Sequence, residues 1–345
     1  MNILLTIIIL GVIVISHEFG HFIIAKANGI VVKEFCIGFG PTIIGIQRGE
    51  TKYCLKAIPM GGACIFDMDD VENPAESSFY KANVWSRIGT IAAGPIFNFI
   101  LAFILSLFVI GNIGYPNARL LEVSEGGPAQ KAGIMAGDEI VKINNYKVHM
   151  FSEISLNLMF TDGEPVDVEY IRDGQKYKVT LIPEYNEEYG RYMFGIVGGE
   201  YETEKSPIKT IKYAAYYVRF QIASTFKSLK WLVLGKVASS ELAGPVGVAT
   251  IVGEEYDNAK SEGLSVVILT MLNLAILLSA NLGVMNLLPI PALDGGRLVF
   301  MFIEVIFRKP IPPEKEGIVH FIGVAILIGL TFYALYNDVM RIIIK

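Results

Sequence analysis

His17, Glu18 and His21 stand together in VIVISHEFGHFIIAKANG, residues 12–29. On an α-helix, positions four apart share a face, so the two imidazoles can grip one divalent cation. Glu18 projects beside such an ion rather than onto it, where a carboxylate can take a proton from a water that the metal has acidified. That is hydrolytic chemistry. The setting sharpens it, because Glu18 is the only fixed charge between Met1 and Ala25. Ionisable groups at membrane depth are costly and by default functional. Two other uses of the triplet stay open: a hydrogen-bonded contact between helices, and a proton or ion relay.

A hydrolytic zinc site needs a third protein ligand and one open position. His149 lies in a long polar segment and His320 in a separate apolar run. NLLPIPALDGGRL, residues 286–298, ends an apolar stretch, is broken by Pro289, Pro291, Gly295 and Gly296, and carries one acid, Asp294. Broken backbone at membrane depth is tolerated only where protein or a watery cavity satisfies it. The predicted metal ligands are therefore His17, His21 and Asp294, the metal Zn2+, and the general base Glu18.

These residues must be positioned by a membrane protein. The 345 residues are 52% hydrophobic and only 18% charged. Besides the first window, Ile88–Ala118 and Gly263–Leu293 carry no fixed charge, and Gly317–Asn337 holds only His320. Each supplies roughly 20 apolar residues, enough for about 30 Å of hydrocarbon, so four transmembrane helices are expected. The first lacks a basic leader and is expected to be a retained span. Lysines and arginines gather in 27–87 and 294–317, which the positive-inside rule places in the cytoplasm, with both termini and 114–262 outside. The net charge of −5 gives no sign of a nucleic-acid partner. Cys36, Cys54 and Cys64 are expected to be free thiols in a reducing compartment.

HEFGH at 17–21, GFGP at 38–41, IPMGG at 58–62, AGPIFNF at 93–99, a PDZ-like insertion, LAGPVGV at 242–248 and NLLPIPALDGGRL occur in an order that resembles the bacterial site-2 protease family, in its single-PDZ, RseP-like branch. The resemblance covers essentially the whole chain. It implies an intramembrane zinc metalloprotease in the bacterial cell membrane, with zinc on His17, His21 and Asp294 and Glu18 as general base. It implies cleavage of transmembrane segments of single-span proteins, such as anti-sigma factors or signal-peptide remnants. A metal-ion transporter or a non-catalytic PDZ scaffold are the alternatives.

The expected fold is a polytopic α-helical membrane protein with four transmembrane helices, a membrane-associated β-hairpin region and one extracytoplasmic α+β PDZ domain. Its expected parts are 1–112, holding HEFGH and the hairpin; 113–200, the PDZ domain; 201–260, an amphipathic linker helix; and 261–345, holding the Asp294 motif. Residues 32–66 are β-branched and aromatic, read as strands around Arg48-Gly49-Glu50, and could hold an unwound substrate by strand addition. Asn98 is either glue between helices or a group facing substrate, and the resemblance favours a place near the active site. Asn286 raises the same question. Gly61 and Gly62 are candidates for substrate binding, although with Met60 they read more readily as a tight turn. His149 is expected to be solvated. Residues 205–240 carry seven Lys or Arg and no acid, with apolar positions at helical spacing, the pattern of a basic helix on a membrane or of a plain linker. The expected partners are a transmembrane substrate, the lipid bilayer and a PDZ ligand peptide or the outer segment of the substrate.

Overall fold

The computed structural model describes residues 2–67, 78–203, 206–236, 244–309 and 311–344. Among the described residues, four helices are long and apolar enough to cross a membrane: Leu4–Ala27, Val84–Ile113, Leu264–Leu287 and Glu314–Met340. They coincide with the four predicted windows. The chain divides into two compact units, 1–105 with 235–345, and 106–234.

The first unit opens with α1 (Asn2–Ala27), β1 (Val32–Arg48), β2 (Thr51–Phe66), α2 (Ser78–Lys81) and α3 (Val84–Ile113). In lipid a helix satisfies all its backbone groups internally, which is why apolar runs of this length take that form. α1 and α3 meet backbone to backbone, since a Cβ on Gly20 would lie 2.4 Å from the Ala93 carbonyl oxygen. Small residues permit such close approach. β1 and β2 turn at Gly49-Glu50, between paired Arg48 and Thr51, with Gly49 at φ +61°. Both strands then fold back, so that Glu34–Ile37 pair with Lys52–Leu55 on one side and with Gly62–Ile65 on the other. This register sets Cys36 opposite Cys54, and the two are joined in a disulfide with Cα atoms 4.5 Å apart. The expectation of three free thiols is corrected: only Cys64 is free. Sequence spacing hid the pairing, because the fold-back that aligns the two residues is not a simple hairpin register. Val32, Phe66 and Phe79 bury against Ile88 and Ile91 of α3 and tie the sheet to the helices.

The second unit contains β3 (Tyr115–Val123), α4 (Pro128–Lys131), β4 (Glu139–Ile143), β5 (Tyr146–Lys147), α5 (Phe151–Met159), β6 (Val166–Arg172), β7 (Gln175–Leu181), β8 (Glu184–Asn186), β9 (Arg191–Met193), β10 (Ile196–Glu202) and α6 (Pro207–Val233). β10 adds to the edge of β3, giving the order β10-β3-β4-β6-β7 with β5 on β4; the sequence reading had no strand there. Ile134, Ile140, Ile143 and Ile154 are fully buried in its core, each stabilising the unit by about 1.5–3 kcal/mol. α6 packs Tyr213, Tyr216 and Tyr217 against Ile110, Tyr115 and Met150. Arg219 donates to the Lys147 carbonyl and Lys227 to Asn157, so part of the basic face predicted for this helix is engaged by the unit itself. His149, expected to be solvated, stacks on Tyr216 with ring centroids 3.9 Å apart.

The chain returns to the first unit with α7 (Pro245–Lys260), α8 (Leu264–Leu287), α9 (Asp294–Phe307) and α10 (Pro313–Ile344). Buried Asp338 of α10 accepts from the N–H groups of Gly244 (3.1 Å) and Gly247 (2.8 Å) and so caps α7. A Cβ on Gly244 would lie 2.6 Å from Asp338 Oδ2, which accounts for that glycine of the LAGPVGV motif, of which Leu242 and Ala243 lie outside the described residues. Val252 of α7 packs against Ile9 and Ile13 of α1. Buried Arg87 of α3 pairs with Glu304 of α9.

Candidate metal centre

α1 presents His17 and His21 one turn apart, both at most 8% exposed. Room for the rings comes from α3. A Cβ on Gly94 would lie 2.3 Å from His21 Nε2 and 2.8 Å from His17 Cε1, so a residue without a side chain is required there. The ring of His21 is fixed from behind by the Thr90 carbonyl, 2.9 Å from Nδ1. A carbonyl only accepts, so Nδ1 carries the proton and Nε2 keeps a lone pair, the tautomer a metal needs. His17 Nδ1 lies 3.2 Å from the amide of fully buried Asn98, whose Oδ1 has no partner. With Oδ1 turned to His17, the Nδ1–H finds its acceptor, the orphan is satisfied and Nε2 is again free for a ligand; amide O and N exchange places without changing shape. The Ser279 hydroxyl donates to the Asn98 backbone carbonyl at 2.8 Å and ties this point to α8.

Asp294 arrives from the other side as the first residue of α9. α8 ends at Leu287 and the chain reverses over 288–293. A Cβ on Gly295 would lie 2.1 Å from the Leu288 carbonyl oxygen, and one on Gly296 2.4 Å from that of Ile290. The two glycines thus let α9 start directly against the end of α8. Asp294 Oδ2 lies 3.1 Å from His17 Nε2 and 3.3 Å from His21 Nε2, and the two Nε2 atoms are 3.2 Å apart. Oδ2 is buried and makes no hydrogen bond. Tetrahedral donors at about 2.0–2.1 Å from zinc stand about 3.3 Å from one another, so this cluster of lone pairs fits one zinc ion held by two imidazoles and a carboxylate.

Glu18 lies on the same cavity of about 300 Å³ as His17, His21 and Asp294. Its carboxylate is hydrogen-bonded by the Cys64 backbone. A Cβ on Gly62 would meet Glu18 Cγ at 2.9 Å, so this glycine lets the sheet touch the acid. Gly61, at φ +85°, lies in β2 against the Phe39 ring. Both glycines are strand residues rather than a tight turn. Burial beside Glu18 pushes the Cys64 thiol up. Asn286 is half-buried in the last turn of α8 and, among the described residues, does not line this cavity.

Among the cavity-lining residues not foreseen are two with basic side chains, Arg297 and His320. His320 Nδ1 accepts from the Ala292 N–H at 2.9 Å. A signal for His320 existed: it is the one histidine of the fourth apolar run, and the rule that singled out His17 and His21 applies to it equally.

The sequence profile of Peptidase family M50 matches residues 5–330. A protein of Clostridium acetobutylicum, named as a proposed zinc metalloprotease, is 36% identical over 339 residues, 98% of this chain and 97% of its own length. The regulator of sigma-W protease RasP of Bacillus subtilis is 31% identical, with 97% of each chain covered. The zinc metalloprotease RasP of Geobacillus kaustophilus is 28% identical over the same share of each. The chain therefore belongs to peptidase family M50, the site-2 proteases, and is a multi-pass membrane zinc metalloendopeptidase.

Proposed function

We propose that His17, His21 and Asp294 hold the zinc, that Glu18 is the general base, and that the substrate is the transmembrane segment of a single-span protein. The observation that carries this reading is the convergence of three lone pairs within 3.3 Å of one another, with Glu18 on the same cavity. Zinc bound there would polarise a peptide carbonyl and bring the pKa of water towards about 7. Thr90 and Asn98 fix the imidazoles in the ligating tautomer. Glu18, oriented by the Cys64 backbone, takes the proton of the attacking water and passes it to the leaving amine.

Residues 62–66 pair on one side only among the described residues, while Ala63, Cys64 and Phe66 line the cavity. An unwound substrate added to this edge would have its carbonyls presented beside Glu18. The 113–200 region is read as a PDZ domain outside the cell, with both termini outside and 201–260 as a linker. A groove of about 180 Å³ between α5 and the start of β10, with Arg191 at its margin, supports a peptide ligand there. The name of the Bacillus relative, a regulator of sigma-W, favours anti-sigma factors as substrates.

A model single-span peptide in detergent, incubated with wild type and Glu18→Gln, tests the reading. Loss of about 10²–10⁴-fold in kcat is expected for the variant at unchanged zinc content. Equal cleavage by both would overturn the assignment.

A further inference from the structure

The reversal at 288–293 that delivers Asp294 is not held by its own hydrogen bonds alone. Ala292 sits at φ +78°, a left-handed backbone that non-glycine residues adopt only where their surroundings impose it. Two residues of α10 bear on the reversal. A Cβ on Gly323 would lie 2.5 Å from Pro291 Cβ and from the Pro291 carbonyl oxygen, so α10 touches the turn there without a side chain. Three residues earlier, on the same face of the helix, His320 Nδ1 accepts the Ala292 N–H at 2.9 Å. Because Nδ1 accepts, the ring proton is on Nε2. That nitrogen is buried, lies 3.6 Å from Glu316 Oε1 and makes no hydrogen bond among the described residues. The Phe300 ring of α9, 5.7 Å between centroids, closes on the imidazole from another side.

We propose that His320 is a positioning residue for Asp294. The fourth span latches the turn through Ala292, two residues before the carboxylate, and so sets where Oδ2 stands relative to His17 and His21. The latch lies outside the ligand set and reaches the metal only through the backbone. Groups that hydrogen-bond a ligand directly carry about 10–100-fold of metal affinity, and the same range is taken for a latch that acts through the backbone two residues away. This inference rests on Asp294 being a ligand, as proposed above.

The test is zinc affinity of the full-length protein in detergent, by competition with a chromogenic chelator, for His320→Leu and His320→Asn. Leucine fills the space without an acceptor, whereas the asparagine Oδ1 can stand where Nδ1 does. His320→Leu is expected to bind zinc about 10–100-fold more weakly. Its cleavage of the model peptide should fall in parallel and return when zinc is raised to saturation, which loss of a substrate contact would not do. His320→Asn is expected to stay within about threefold of wild type, since the hydrogen bond to Ala292 is kept. Wild-type affinity in His320→Leu, equal weakening in both variants, or a loss of cleavage that saturating zinc does not restore would each overturn the proposal. Asp294→Ala, measured alongside, separates the two readings. If it retains wild-type zinc affinity, the ligand assignment fails. If it loses zinc while His320→Leu does not, only the latch fails.

Discussion

Both units of this chain bury ionisable groups, and they differ in whether a cluster of them is left unmet. In 106–234 each buried acid is met. Asp138, 1% exposed, takes a bidentate pair of 2.7 Å hydrogen bonds from Arg172. Glu153, fully buried, accepts from the His149 and Met150 backbone N–H groups and from the Tyr146 hydroxyl. The only buried side-chain polar atom without a partner among the described residues there is the Ser152 hydroxyl. In the membrane unit Asp338 and Glu304 are also met, whereas on the cavity Asp294 Oδ2 and His320 Nε2 are buried without hydrogen bonds among the described residues; away from it Arg87 Nε is unmet, and Asn98 Oδ1 is met once its amide is turned to His17. A buried charge left without a partner is costly, so unsatisfied buried atoms that converge mark a place where a ligand completes the structure.

That contrast is broken most directly by Asp294→Ala. Removing the carboxylate should abolish both zinc retention, read by metal analysis of the purified protein, and peptide cleavage. The urea midpoint of 106–234 should not move, because no acid of that unit depends on the metal. Retained zinc would mean that the unmet Oδ2 is an ordinary orphan and not a ligand.

Gly94→Ala comes next. It adds one methyl group 2.3 Å from His21 Nε2, where backbone on one side and the metal ligands on the other leave nowhere to go. A displacement of about 1 Å of a catalytic group costs about 10²-fold in rate, and zinc affinity should fall with it. Wild-type kinetics would show that α3 yields and that the fit of the rings is loose. The complementary change in the other unit is Asp138→Ala, which leaves Arg172 without its carboxylate. Destabilisation of about 1–3 kcal/mol is expected in a urea titration, with zinc content and kcat untouched. A change in zinc content would contradict the separation of the two roles.

The same contrast explains what could be read in advance. Four spans, the hairpin region and the shared face of His17 and His21 follow from patterns with a physical basis, namely apolar length, β-branched composition and i,i+4 spacing, while Asp294 stood out as the one acid of a broken segment. Asn98 was legible as a polar residue in an apolar helix, but whether it faced substrate or held a histidine depends on the rotation of α3 against α1, which periodicity does not give. The Cys36–Cys54 pair depends on a fold-back of two long strands, and spacing alone suggests no such register. His320 was passed over because its helix is remote in sequence, although an imidazole in an apolar span is itself the signal. The β10 strand, rich in glycine and acid, has no alternation to announce it and is recruited by the open edge of β3.

The smallest effect tests whether the outer unit is as self-contained as its satisfied acids imply. His149 is held below the usual histidine range, first by burial against Tyr216 and then by the charges of Arg219, Lys212 and Lys147. Glu153 accepts the His149 backbone N–H. A folded-state pKa below the unfolded value of about 6.5 means that the unfolded chain binds the proton first. The unit therefore keeps its full stability above about pH 6.5 and loses part of it as the pH falls from there towards the folded-state pKa, below which the curve flattens. Urea midpoints of an excised 113–234 segment between pH 5 and 8 should show this slope, and His149→Gln should remove it. A midpoint that rises on acidification would mean that Glu153, whose carboxyl burial pushes up, governs the titration instead. The buried acid of this unit would then be the less satisfied of its two groups.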